Sequence, residues 1–124
     1  MITLGTDFDY VQGVQLVRNR HPNSGEQAVY TVPAGPNSTT GYATIAYLPN
    51  PSQTGSVIIL GGTDSDATGA AAAFLTSEVQ MENLRKTLHV DRFPYFELLL
   101  KTSRLSGAFF DSVPIAYRTY ARVQ

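Results

Sequence analysis

Val57-Ile58-Ile59-Leu60-Gly61-Gly62-Thr63-Asp64-Ser65-Asp66-Ala67-Thr68-Gly69-Ala70-Ala71-Ala72-Ala73-Phe74-Leu75 is the stretch on which the fold turns. Four apolar residues run into two glycines, a polar cluster follows, and an alanine-rich run begins. That order spells a buried strand, a tight turn and a helix start. An unbroken apolar run is what a strand covered on both faces needs, so Val57 to Leu60 is expected at the centre of a sheet. Strand-to-helix turns lie at the carboxyl edge of a sheet, where α/β proteins commonly bind ligands.

Working outward, the chain reads as β-β-β-β-α-α-β-β. Upstream, Phe8, Tyr10, Val14 and Leu16 alternate weakly, and Arg18 to Gly25 reads as a loop from its Pro, Asn and Gly content. Glu26 to Val32 and Tyr42 to Leu48 read as strands, separated by the proline-broken stretch Pro33 to Thr40. Downstream, a first helix is expected over about Asp66 to Leu75, capped by Thr63 or Asp64. A second is expected over Glu78 to Leu88, capped by Ser77, with Val79, Met81, Leu84 and Leu88 on its apolar face. Tyr95 to Arg104 and Ser112 to Tyr120 are expected to form a C-terminal antiparallel hairpin turning at Ser106-Gly107. The helical crossover makes Val57 to Leu60 run parallel to the strand at Phe96. The fold class is α/β with α+β character: a mixed sheet with helices packed on it and the hairpin at its end.

The chain has 124 residues and a net charge of −1, which suits one domain with a single core. There is no basic excess, so binding to nucleic acid through generic backbone charge is not expected. Without cysteine, disulfides and thiol chemistry are excluded. No apolar stretch reaches the roughly 18 residues that cross a bilayer, and the N-terminus lacks a basic leader with an apolar core. A cytoplasmic location, with no membrane contact, is the expectation. Charged residues make up only 15%, against roughly 25% in an average domain. Such a surface either is covered by another subunit or domain or relies on Ser, Thr, Asn and Gln.

Gly61, Gly62, Thr63, Asp64, Ser65 and Asp66 are the candidate ligand-binding residues. Glycines beside a helix N-terminus often bind phosphate, but neither the dinucleotide nor the phosphate-loop glycine pattern is present. Asp64 and Asp66 outweigh the roughly half-unit positive charge of a helix end. A hydroxyl-rich molecule, an amine or a divalent cation suits the turn better. The competing reading makes Thr63, Asp64 and Ser65 simple helix caps. Asp64-Ser65-Asp66 lacks a nearby third ligand, so no metal and no cofactor are expected. No nucleophile elbow occurs, and nothing selects catalytic partners for His21 or His89. The latter suits a helix C-terminus by charge. Arg18, Arg20 and His21 form one basic cluster and Arg85, Lys86 and Arg92 another; both read as solvated surface. Phe109 and Phe110 cannot share one face of a strand. They mark either a contact surface, which suits a homodimer, or a local bulge.

Several short motifs also carry a resemblance. They are Val17-Arg18-Asn19-Arg20, Gly25-Glu26, Ala28-Val29-Tyr30, Gly41-Tyr42-Ala43, Leu48-Pro49-Asn50, Gly55 to Thr63, Thr68 to Ala71, Phe96 to Leu100 and Ala116-Tyr117-Arg118. With them the chain, from about Val17 to Arg118, resembles an uncharacterised bacterial α/β domain found mainly in acidobacterial proteins. The resemblance implies a C-terminal module of a longer protein, sometimes behind a DNA-binding segment, and carries no catalytic residues. Family members tend to have Met-Glu where this chain has Ser65-Asp66, which argues against a shared role for the acidic pair; they also tend to have a further strand and helix upstream, so an excised domain is expected. Together these readings favour a non-catalytic regulatory, protein-interaction or ligand-sensing domain. The alternative is a hydrolase or transferase acting at Gly61 to Gly69.

Overall fold

A computed structural model describes residues 7–10, 16–32, 40–50, 52, 54–104 and 110–120. The strands are β1 (Phe8–Tyr10), β2 (Leu16–Asn19), β3 (Val29–Thr31), β4 (Thr40–Pro49) and β5 (Ser56–Gly62). Helices α1 (Ser65–Thr76) and α2 (Glu78–Leu88) follow, then β6 (Tyr95–Arg104) and β7 (Phe110–Tyr120). They build two sheets, one in the order β1-β2-β3 and one in the order β5-β4-β6-β7. Neighbours in both sheets pair antiparallel. The result is the expected α/β fold with helices on a sheet and a C-terminal hairpin, but in place of the one mixed sheet expected there are two sheets, each antiparallel throughout.

Three layers result, with the four-stranded sheet in the middle. Alternate residues of β4 and β6 serve opposite faces, as the two-residue strand period requires. Ala43, Ile45, Leu98 and Leu100 meet Ala67, Ala71, Phe74 and Leu84 of the helices. Tyr42 and Leu99 turn to the other side and pack with Phe8, Val17 and Tyr30 of the small sheet, joined by Ala116 of β7. Ile45, Leu98, Leu99 and Leu100 are all fully buried. The small side chains of β4 let both outer layers come close. A Cβ on Gly41, for instance, would stand 3.3 Å from the Ala67 methyl.

The central position expected for Val57 to Leu60 belongs to β4 and β6 instead. β5 is an edge strand, with Ile58 51% and Ile59 39% exposed. It does run parallel to β6, because both oppose β4, but β4 lies between them. An apolar run reads the same at a centre and at an edge. What decides is how far the outer layers reach sideways, and here they cover β5 mainly at its Leu60–Gly62 end.

Both helices begin and end as their residues dictate. The Asp64 carboxylate accepts from Ala67 N, and the Ser77 hydroxyl accepts from Gln80 N. Helix α2 ends on His89 in the left-handed region, its N–H directed to Arg85 O and Lys86 O. Met81, Leu84 and Leu88 face the core, but Val79 is 72% exposed. It stands five residues from Leu84, off the three- and four-residue spacing that defines a face. Among the described residues no helix is long and apolar enough to cross a membrane.

Candidate functional site

The Gly61–Asp66 turn is tightly engaged with its own surroundings. A Cβ on Gly62 would meet the Thr68 backbone N at 2.5 Å, and one on Gly61 would meet the Tyr10 ring at 3.0 Å. Glycine is needed at Gly62, where the clash is with backbone, whereas at Gly61 the Tyr10 side chain would have to shift. Thr63 Oγ1 accepts from Tyr42 N at 3.1 Å, while Thr63 N donates to Tyr42 O at 2.9 Å. Asp64 Oδ1 accepts from Ala67 N at 2.7 Å, and the Thr68 hydroxyl donates to Asp64 O. Ser65 and Asp66 lie exposed at the start of α1. The turn thus spends Thr63 and Asp64 on joining β4 to α1. Asp64→Ala should lower stability by about 0.5–2 kcal/mol; a thermal or urea melt unchanged from wild type would show that the cap carries no weight.

A second cluster, unexpected from the sequence, gathers around Arg118 on β7. Its Nε donates to Asp7 Oδ2 at 3.0 Å. Nη1 and Nη2 grip the two Glu26 oxygens at 3.0 and 2.8 Å, and Nη2 also donates to Asn19 Oδ1 and His21 O. The guanidinium lies 5.0 Å from the centre of the Phe8 ring. The Arg118 hydrogen bonds hold the Glu26 carboxyl down at about 2. Burial works against ionisation of Asp7, but hydrogen bonds from His21 and Arg118 outweigh it and keep its carboxyl below the usual range. Beside them, Glu97 on β6 is 2% exposed; it accepts from Asp7 N at 2.8 Å and from the Tyr120 hydroxyl at 2.7 Å. Burial raises its pKa.

These groups tie the small sheet to the large one and satisfy one another. Among the described residues no buried side-chain polar atom lacks a partner, and no three His, Asp or Glu side chains are placed to hold a metal. The basic cluster read as solvated is exposed but paired: Arg18 and Arg20 both reach Asp9, and His21 reaches Asp7. Such surface pairs contribute little to stability.

The third feature is β5 itself. Ile58 borders a largely apolar cavity of about 300 Å³ on the helix side, shared with Tyr47, Leu75, Met81 and Phe93 and bordered by Arg92. Ile59 borders a second cavity of about 360 Å³ on the opposite side, shared with Phe8 and Tyr10 and with the carboxylates Asp9 and Glu97. Not one of residues 27–63 is Asp, Glu, Lys, Arg or His. That charge gap, bounded by Glu26 and Asp64, spans β3, β4 and β5 and leaves β5 an uncharged edge strand. Of the residues expected at an interface, Phe109 lies outside the described residues. Phe110 is placed only as the first residue of β7, paired with Arg104.

No family model, curated protein or solved structure matches this chain.

Proposed function

We propose that this chain is a non-catalytic protein-interaction or ligand-sensing domain of a bacterial protein. In this reading it works in the cytoplasm, either as a homodimer or against a neighbouring domain. One observation carries it: β5 presents Ile58 and Ile59 to solvent on an uncharged strand flanked on each face by a largely apolar cavity, bordered by Arg92 on one side and by Asp9 and Glu97 on the other. Exposed apolar surface of this kind usually marks a binding site. The resemblance to a mainly acidobacterial domain for which no catalytic residues are established is in keeping with the same reading. So is the Gly61–Asp66 turn, whose threonine hydroxyl and capping carboxylate are engaged in the fold.

The test pairs binding with turnover. Metals, nucleotides, sugars and amino acids are screened by thermal shift, since a ligand of the native state raises its apparent stability. The same protein is assayed on ester, amide and phosphoester substrates. The expected result is no turnover, with any ligand-induced shift lost in Ile58→Lys. Turnover that disappears in a folded Asp64→Asn variant would establish the enzymatic alternative in its place.

A further inference from the structure

We propose that β5 pairs with β5 of a second copy, antiparallel and across a two-fold axis at Ile59, joining two four-stranded sheets into one. This rests on the interaction-domain reading above and names its partner.

The backbone of β5 is arranged for it. At one end of the β4–β5 ladder Asn50 N donates to Gly55 O, and at the other Thr63 N donates to Tyr42 O. Bonded and non-bonded pairs alternate in an antiparallel ladder. With the observed register, the bonded pairs are therefore Leu48↔Val57, Ala46↔Ile59 and Thr44↔Gly61. Ser56, Ile58, Leu60 and Gly62 turn their N–H and C=O groups away from β4. Among the described residues β4 is the one strand that pairs with β5, so these groups face the open edge.

The two edges of the sheet differ in a way that identifies the pairing one. Natural edge strands are protected by charge, proline or a bulge. β7 has all three: Asp111 and Arg118, Pro114 opposite Leu100, and a register break between Leu99 and Leu100 that leaves Ile115 unmatched. β5 has none. Its side chains also suit a copy of itself. With the axis at Ile59, residues 56–62 oppose residues 62–56 along the whole strand. Ile58 then lies beside Leu60 of the second copy on the helix face, and the two Ile59 side chains meet on the other. Gly61 and Gly62 fall opposite Val57 and Ser56, where they add no side chain to collide. An uncharged strand meets itself without repulsion, and the charged side chains that border its two cavities, Arg92 on the helix face and Asp9 and Glu97 on the other, come from other elements. Closed two-fold pairing is the commonest way in which a single patch is covered.

Sedimentation velocity from about 1 µM to about 500 µM tests this, a span that brackets the affinity range of weak to moderate dimers. Wild type should move from the mass of one chain to that of two. Ile59→Lys should remain at one chain, its dissociation constant raised about 100-fold or more, because the two lysines would face each other at the axis. Val113→Lys, at a 49% exposed position on the other edge, should dimerise as wild type does. At 1 µM, Ile59→Lys should melt with the wild type, which separates lost pairing from lost folding. A wild type that stays monomeric throughout overturns the proposal. So does an Ile59→Lys protein that still dimerises, or a Val113→Lys protein that does not. A monomeric wild type leaves the interaction-domain reading to its own binding and turnover test, and turnover dependent on Asp64 would overturn that reading without touching the mass result.

Discussion

Arg118→Ala is expected to destabilise the protein by about 1–3 kcal/mol, the cost of leaving charged hydrogen-bond partners unpaired in a partly buried ionic cluster. The Arg118 side chain is 11% exposed, and its partners Glu26 and Asp7 are 12% and 22% exposed. Its removal leaves two carboxylates facing each other without their cation. Arg118→Lys should recover only part of the loss, since one ammonium cannot reproduce the fork that spans Asp7, Glu26, Asn19 and His21 O. The pH dependence follows from the direction of the shifts. Glu26 and Asp7 have depressed pKa values in the folded state. Their contribution is fully present above the unfolded values of 4.5 and 3.8 and is lost as pH falls through the folded ones, about 2 for Glu26. Glu97, with a raised pKa, works in the opposite sense and gains stability on protonation. The resistance of wild type to urea should therefore fall between pH 4.5 and about 2, and Arg118→Ala should flatten that loss. An Arg118→Ala protein as stable as wild type at pH 7 would show that the small sheet is held by apolar packing alone.

Leu98→Ala and Leu99→Ala should each cost about 2–5 kcal/mol, although the two side chains serve different cores. Leu98 is enclosed between the sheet and the helices, and Leu99 between the two sheets; both are fully buried. By contrast Ile58→Thr, measured in dilute solution, should cost less than about 1 kcal/mol, as exposed substitutions do. The contrast separates the observed order, with β6 central and β5 at the edge, from the reverse. Comparable losses at Ile58 and Leu98 would place β5 back in the interior.

Local features carried much of this fold into the sequence. Ser77 and the spacing of Met81, Leu84 and Leu88 define α2 at its observed bounds, and Pro94 with the run from Tyr95 defines β6. Asp64 caps α1 as its position before the alanine run suggests. The small sheet was harder to read because its polar residues make tertiary contacts. Arg18 and Asn19, read as loop, belong to β2; Asn19 is buried because Glu26 and Arg118 bind its amide. The Arg118 cluster was hidden for the same reason, its partners lying 92 and 111 residues away. The edge position of β5 was hidden by chemistry rather than distance. A strand that is apolar on both faces carries the same residues whether its neighbours come from its own chain or from another.

Hydrogen exchange at the backbone amides of Ile58 and Leu60 tests β5 as the pairing edge most directly. Val57 and Ile59 turn toward β4 and should be protected at every protein concentration. Ile58 and Leu60 turn outward, so they should exchange rapidly in dilute solution and become protected as concentration rises. Rapid exchange at both residues at every concentration, or protection equal to that of Val57 and Ile59 in dilute solution, would contradict pairing through β5.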